Sequence, residues 1–378
     1  MPTFTNYPVK PRYIMIGGFL GAGKTTSILA LGRYLRDQGK TVGLITNDQG
    51  QGLVDTALGK AGDFPVEEIS GGCFCCRFSS LVDAAKNLTA ETRPDFLLAE
   101  PVGSCTDLVA TVALPLQQIY GSRFAIAPLS VVVDPLRARA ILGLDAKKSF
   151  SKNVTYIYRK QLEEARNIVV NKTDIIDAEQ LRELVSALNA EFKGARVFTI
   201  SAREMNNLDS WFESVLSEEF DPTEVLDIDY ETYGDGEAKL GWLNATLSMD
   251  AGEEIDGNEF LMTFCRSLHA ILRNESVEVA HLKMTLAPEE DPFEIAALNL
   301  VRTEGSPEMS HTLLDPVEDA EISVNLRAEA DPELLINALR KTIDDTVRDR
   351  YGFTLEIVHQ EHFRPSMPTP QHRLEIAT

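Results

Sequence analysis

The sequence predicts an α/β domain built on a mostly parallel sheet with helices on both faces, followed by a smaller α+β domain. Three observations carry this prediction. Apolar runs and helical patterns alternate through the first 218 residues, a glycine-rich phosphate motif lies between the first strand and the first helix, and the charge balance changes abruptly near residue 218. Strands that alternate with helices have to lie parallel, because each helix carries the chain back to the starting edge.

Taken in order, residues 13–16 are a short β-rich run, the glycines after it break the strand, and a helical pattern extends from Lys24 to about Gln38. Residues 41–46 (TVGLIT) are nearly all apolar and end at Asn-Asp, the pattern of a strand covered on both faces. Residues 47–77 read as loop. A helix over 81–89, a strand over 96–99 and a helix over 107–120 follow. Strands at 127–133 and 167–170 flank a helix at 151–166. A helix at 178–192, a strand at 196–199 and a helix to about 216 complete a first domain, residues 1–217. Residues 218–237 carry nine acidic residues, no Lys or Arg, Pro222 and two glycines, so 218–238 reads as a solvated linker. Strands are expected at 240–248, 277–286, 293–302, 321–328 and 354–360, with helices at 257–273 and 331–351. These form a second domain, residues 239–378, with its helices on one sheet face.

Composition narrows the function. The chain has 36 Lys and Arg against 58 Asp and Glu, a net charge of −22. Residues 1–218 hold 24 of each sign, whereas 219–378 hold 34 acidic and 12 basic residues. A chain that neutralises phosphates along nucleic acid needs a broad basic face, and this one excludes it. No apolar run reaches the roughly 18–20 residues of a membrane span. The short apolar stretch after Lys10-Pro-Arg12 is glycine-rich and runs into Lys24, which suits a phosphate loop rather than a secretory signal. Of five cysteines, Cys73, Cys75 and Cys76 fall within four residues, too crowded for a disulfide framework. Clustered thiols of this kind point to metal or redox chemistry in a cytoplasmic protein.

Gly18-Phe-Leu-Gly-Ala-Gly23-Lys24-Thr25 fits G-x-x-x-x-G-K-[ST] between a strand and a helix. Backbone N–H groups of Gly21, Ala22, Gly23 and the helix start through Thr26 wrap the phosphates. Lys24 reaches their oxygens, and the Thr25 hydroxyl holds Mg²⁺. The fold class is therefore a P-loop NTPase. Asn171-Lys172-Thr173-Asp174 ends an apolar strand and matches the guanine-selecting N-K-x-D, in which a carboxylate accepts from guanine N1–H and the 2-amino group. Ser201-Ala202 matches the companion S-A element. Glu100 and Gly103 close the strand at 96–99, where a carboxylate near Mg²⁺ and a γ-phosphate-sensing glycine belong, and Asp48 follows the strand at 41–46 within reach of the same ion. Lys24, Asp48 and Glu100 are the catalytic candidates. Thr25, Asp48 and Glu100 are candidate Mg²⁺ ligands.

Cys73, Cys75 and Cys76 are soft ligands for Zn²⁺, Co²⁺ or a related ion. On an extended backbone Cys73 and Cys75 point one way and Cys76 another, so two or three ligands are expected, with an acid, a second copy of the chain or the nucleotide's surroundings completing the site. The ordered set GGFLGAGKTT, TNDQGQGLVD, GGCFCC, AEPVG and NKTD resembles the CobW-type metal-handling GTPases, which are similar to the nickel-insertion GTPases of urease and hydrogenase. The resemblance spans roughly residues 10–215. It implies a slow Mg²⁺–GTP switch that turns GTP into GDP and couples hydrolysis to delivery of a metal held by C-x-C-C. It also implies a client metalloprotein or corrinoid (cobalamin-type) protein and a GTP- and metal-dependent homodimer.

Departures from the family pattern accompany the match. Typical members read N-E-F-G-E-x-G where this chain reads Asn47-Asp-Gln-Gly-Gln-Gly-Leu53, and Pro101-Val102 and Cys105 are unusual. The long histidine-rich stretch of typical members is absent. A second reading, from another class, is a nucleotide-gated binding module whose acidic domain docks a basic client and whose hydrolysis is incidental. A third, a small-molecule kinase, has no use for NKTD. His359, His362 and His372 offer a second metal site as the lesser reading beside solvated tail residues. Cys265 is expected to pack in a core, and Cys105 to serve helix packing, with a fourth thiolate ligand as its alternative. The Pro-rich 363–370 reads as an extended strap or docking segment.

Overall fold

The computed structural model describes residues 10–47, 64–121, 123–146, 150–222, 224–291, 294–346 and 351–376. Its first sheet is wholly parallel. It contains β1 (Arg12–Gly17), β2 (Val42–Asn47), β3 (Val66–Ile69), β4 (Phe96–Glu100), β5 (Ala125–Ile126), β6 (Ser130–Val133), β7 (Asn167–Val170) and β8 (Arg196–Thr199). The order is β3-β2-β4-β1-β6-β7-β8, with β5 paired to β1. Side chains alternate across a strand, so Tyr13 and Met15 enter one core while Ile14 and Ile16 enter the other. That is why the central strands are apolar at every position.

The helices of this half are α1 (Lys24–Asp37), α2 (Phe78–Thr92), α3 (Leu114–Tyr120), α4 (Pro135–Ile141), α5 (Lys152–Glu164), α6 (Ala178–Glu191) and α7 (Asp209–Ser217). Three elements depart from the sequence reading. The strand expected at 127–133 begins only at Ser130, and the separate β5 lies before it. β3 lies within the stretch read as loop, where its two exposed-type glutamates hide the strand pattern. α4 was absent from it, although Asp134 caps the helix by accepting from the N–H groups of Leu136 and Arg137, with Pro135 at the first helical position.

The acidic connector is the main correction. Residues 230–239 are not solvated chain but a helix, α8 (Tyr230–Lys239), capped by Asp229 and packed on α5. Gly236 is needed there, since a Cβ would sit 2.6 Å from the Asn153 carbonyl oxygen. Tyr233 and Glu237 are buried behind it. The acids of this helix that face water supplied the linker-like composition, while its packed face is small and aromatic.

The second sheet is antiparallel, in the order β12-β11-β10-β13-β9-β14. Its strands are β9 (Leu240–Ile255), β10 (Glu278–Pro288), β11 (Ala296–Leu300), β12 (Glu308–His311), β13 (Val317–Glu329) and β14 (Thr354–Phe363). Helices α9 (Gly257–Asn274) and α10 (Pro332–Thr346) bury one face in a core of Phe260, Phe264, Leu268, Leu282, Val324 and Leu339. β12 is a short polar edge strand without an apolar pattern to announce it. Among the described residues no helix is long and apolar enough to cross a membrane.

The two halves meet at the phosphate loop. Arg137 of α4, 4% exposed, donates to the carbonyls of Leu20, Val279, Ala280 and Val301. Its guanidinium lies 5.4 Å from the Phe19 ring centre and 5.0 Å from that of Phe150. Gly21 has φ +76, and a Cβ there would come within 3.0 Å of Val301, so only glycine lets the second sheet approach this closely.

Burial raises the Glu237 carboxyl from the ordinary 4.5 to about 8. The folded chain then keeps a proton that the unfolded chain releases, so this contribution to stability is complete below about pH 4.5 and is lost as pH rises through about 8. Urea melts at about pH 5 and pH 8 should show the wild type losing more stability than Glu237→Gln, at up to roughly 1.4 kcal/mol per pH unit. Equal losses in the two proteins would contradict a buried, protonated Glu237.

Candidate nucleotide cleft and thiol cluster

One cavity of about 510 Å³ is lined by Gly21, Gly23, Lys24, Thr25, Thr26, Glu100, Gly103, Asn171, Lys172, Asp174, Ser201 and Ala202. These are the phosphate, switch and guanine candidates, brought from the ends of β1, β4, β7 and β8. Parallel strands all end on one side, so motifs far apart in sequence converge there. Ala22 stands just behind this wall. Asp48, together with the rest of 48–63, lies outside the described residues.

Three successive carbonyls of the phosphate loop are held by side chains. Arg137 Nη1 donates to Leu20 O at 3.3 Å, Lys172 Nζ to Gly21 O at 2.6 Å, and Asn171 Nδ2 to Ala22 O at 3.1 Å. In a trans peptide the next N–H points opposite to the carbonyl. The N–H groups of Gly21 and Gly23 are thereby turned away from these side chains, while that of Ala22 donates to Phe19 O. Lys172 also pairs with Asp134 at 3.0 Å. Burial pushes the Asp134 carboxyl up, but Lys172, Arg302 and Arg137 outweigh it and bring the group down to about 2. Asp134 is therefore a fixed anion that keeps Lys172 on the loop.

At the other end, Asn171 Oδ1 accepts from Ala202 N at 3.0 Å and Asp174 Oδ1 accepts from Ser201 Oγ at 2.6 Å. The four residues form one plate beside the phosphate loop. Near the loop's helix, Thr25 Oγ1 donates to Glu100 Oε1 at 3.1 Å, and Lys24 Nζ lies 3.7 Å from the same oxygen. A hydroxyl and a carboxylate this close are the hard oxygen donors that Mg²⁺ takes. The second sheet closes the cavity with His281, Lys283 and Arg327, joined by Arg302 just beyond β11, which the sequence reading did not place near the nucleotide motifs.

The cysteines form a separate cluster on the far side of the switch strands. Cys73 Sγ lies 3.0 Å from Cys75 Sγ and 2.9 Å from Cys76 Sγ, with Cys75 and Cys76 3.8 Å apart. Cys76 was expected to point elsewhere. The backbone here is coiled rather than extended, with Arg77 N donating to Cys73 O, so residues three apart share a side. Among the described residues this is the one group of three or more Cys, His, Asp or Glu ligand atoms that converge. Three soft sulfurs fit a thiophilic ion. Among the described residues the C-terminal histidines do not converge on one another: His362 bonds Glu333 at 2.9 Å and His372 packs edge-on against Phe78.

Four features of the cluster had no clear signal in the sequence. Hydrogen bonds from Cys105, Cys75 and Cys76 hold the Cys73 thiol far below its ordinary range, and the shared bond with Cys73, reinforced by burial, pushes Cys105 up. Asn47 Nδ2, at the end of β2, donates to Ile69 O at 2.8 Å and to Gly72 O at 2.7 Å, joining the cleft wall to the turn before Cys73. Gln161 Nε2 donates to Gly103 O at 3.0 Å and Cys105 O at 2.8 Å. The C-terminal strap crosses the cluster, with Thr369 N donating to Cys76 Sγ at 3.3 Å, Gln371 N to Cys75 O at 2.9 Å, and Arg373 to Asp107 at 2.8 Å. The strap was expected from its prolines, but its target was not.

Comparison with known proteins finds relatives of part of this chain. The zinc chaperone YeiR of Escherichia coli (strain K12) is 32% identical over 166 residues, 43% of this chain and 47% of that protein. The zinc chaperone CobW of Sinorhizobium sp is 29% identical over 187 residues, 44% and 52% of the two chains. The chain thus spans about half the length of the curated relatives it matches. The solved hydrogenase maturation factor HypB of Archaeoglobus fulgidus is 17% identical, with a TM-score of 0.38 over 54% of this chain and 87% of that one. The family described as CobW/HypB/UreG, nucleotide-binding domain, matches residues 12–199, which hold the phosphate loop, the cysteines and the guanine plate. Through these residues the chain carries a CobW/HypB/UreG nucleotide-binding domain.

Proposed function

We propose that the protein is a GTP-binding and GTP-hydrolysing metallochaperone or metallocofactor-protein activator, which couples GTP hydrolysis to delivery of a Zn- or Co-class ion held by its cysteines. The observation that carries this reading is the pair of direct links from the cleft to the thiols, through Asn47 to Gly72 and through Gln161 to Gly103 and Cys105.

In this reading Gly21, Gly23 and Thr26 offer main-chain donors to the phosphates and Lys24 meets their charge, while Ala22, expected to join them, has its N–H engaged by Phe19 O. Thr25 and Glu100 hold Mg²⁺, which when bound offsets charge on the phosphates, and Asp48 supports the same position. Asn171 and Ala202 fix the guanine plate, Lys172 braces the loop, and Asp174, aligned by Ser201, reads the base. Gly103 senses the γ-phosphate. Hydrolysis is slow without a partner because the site supplies positioning and charge with little further chemistry. The client is a metalloprotein, a corrinoid protein among the candidates, and the acidic second half suits a basic docking face. A GTP-dependent homodimer and a cytoplasmic setting complete the proposal.

Two measurements test it. Asp174→Asn replaces a two-site acceptor by a mixed donor and acceptor, and should weaken GTP binding by about 2–4 kcal/mol while favouring xanthosine triphosphate. Unchanged GTP affinity would remove the guanine assignment. Cys73→Ser with Cys75→Ser should abolish tight Zn²⁺ or Co²⁺ binding and leave Mg²⁺–GTP binding intact. Equal metal content in the double variant and the wild type would place the cargo elsewhere.

A further inference from the structure

The second sheet buries one face under α9 and α10 and turns the other toward the first domain. Alternation along its strands sends Leu243, Leu282 and Leu326 into the helix-covered core and leaves Trp242, Lys283 and Arg327 on the opposite side. That side is polar yet enclosed. Trp242 is 1% exposed and Arg327 4%, with the guanidinium 4.0 Å from the Trp242 ring centre, and both line the nucleotide cavity. Its charge is the reverse of its domain's. Residues 219–378 hold 12 Lys and Arg against 34 acids. Among the described residues, three of those cations line the cavity, Lys283, Arg302 and Arg327, against one of the acids, Glu308, which pairs with Arg203 at 2.9 Å.

The loop side has little positive charge to spare. Lys24 lies 3.7 Å from Glu100 and Lys172 pairs with Asp134 at 3.0 Å, whereas a triphosphate with its Mg²⁺ remains an anion. Arg302 stands where the charge is needed. Its neighbour Val301 is what a Cβ on Gly21 would meet at 3.0 Å, and a Cβ on Gly103 would meet Leu20, the residue before Gly21, at 2.8 Å. The second sheet thus borders the loop at its Gly103 end, where the proposed reading puts the terminal phosphate. The field of Arg302 reaches the loop as well, since it helps to lower the Asp134 carboxyl that holds Lys172. Two donors of this wall, Arg302 Nε and Trp242 Nε1, are buried with no hydrogen-bond partner. Buried donors are normally matched, and a guanidinium fork matches phosphate oxygens.

We propose that this face is the second wall of the nucleotide site, on which Arg302 and Lys283 hold the terminal phosphate of the triphosphate from the side opposite the phosphate loop. The inference rests on the proposed reading that the cleft takes GTP. Trp242 adds a neutral donor. Arg327, anchored on the Leu243 and Leu326 carbonyls at 3.0 and 3.2 Å, keeps a further cation in the wall. Triphosphate is told from diphosphate because only the last phosphate reaches this side. The same cations meet charge that develops on the phosphoryl group in hydrolysis, from within one chain.

The test compares Arg302→Gln and Lys283→Gln with the wild type in affinity for a non-hydrolysable GTP analogue, affinity for GDP and single-turnover hydrolysis. Each variant should lose about tenfold in analogue affinity, the loss of a charge-assisted hydrogen bond, and keep GDP affinity within about twofold. Each should also hydrolyse GTP more slowly, with Arg302→Lys recovering part of the loss. Equal losses for analogue and GDP, or no loss for either, would overturn the inference and leave the GTP reading standing. Inorganic phosphate that binds beside GDP and is lost in Lys283→Gln, with analogue affinity kept, would also overturn it, by making the wall a separate anion site. A wild type that binds neither guanine nucleotide would overturn the reading of the cleft, and the inference with it. Should the variants fail to fold, hydrogen exchange of the wild type decides: β10 and residues 301–306 are expected to gain more protection from the analogue than from GDP, and equal protection would contradict the second wall.

Discussion

Everything in this molecule is referenced to a few backbone carbonyls of the phosphate loop. Leu20, Gly21 and Ala22 each give their oxygen to a side chain from another element: Arg137, Lys172 and Asn171. Because Asn171 and Lys172 also belong to the guanine plate, the distance between the phosphate and base ends of the cleft is set by these bonds rather than by loop conformation. Because Arg137 also grips Val279, Ala280 and Val301, the second sheet is fixed to the same reference. A buried guanidinium surrounded by carbonyl oxygens cannot move without leaving donors and acceptors unpaired, which costs about 1–3 kcal/mol for each group. The loop, the plate and the second sheet therefore behave as one body.

The thiol cluster is tied to this body by thinner connections. Asn47 and Gln161 are each a single amide bridging two backbone segments, one at the first switch strand and one at the second. Both end on the residues that flank or include the cysteines, and in the proposed function they are where γ-phosphate is felt. The strap from Thr369 to Leu374 lies across the cluster from the opposite side, through Cys75, Cys76, Asp107 and Ala110. The cluster thus lies between the two amide-bridged segments on one side and the chain's own tail on the other.

The sequence made the first domain legible because its signals are local. A phosphate loop is eight residues between a strand and a helix, NKTD is four residues at a strand end, and the strands buried on both faces are uninterrupted apolar runs. What it hid is long-range or averaged. Arg137 was one arginine in an unnoticed two-turn helix, and its carbonyl partners lie more than a hundred residues away. The connector misled through its average: nine acids concealed Tyr233, Gly236 and Glu237, which occupy the packed side of α8. Cys76 was misplaced because an extended backbone was assumed where the chain coils.

The central claim is that the nucleotide cleft and the thiol cluster are one linked system. Its most direct test is the Zn²⁺ affinity of the protein with a non-hydrolysable GTP analogue, with GDP and with neither, paired with analogue affinity in the presence and absence of Zn²⁺. The account predicts that the GTP analogue and GDP give different metal affinities, by a factor of roughly 5–150, and that Zn²⁺ changes analogue affinity by the same factor that the analogue changes Zn²⁺ affinity. Three coincident metal affinities would mean that Asn47 and Gln161 join two sites that act independently, and the account would be wrong.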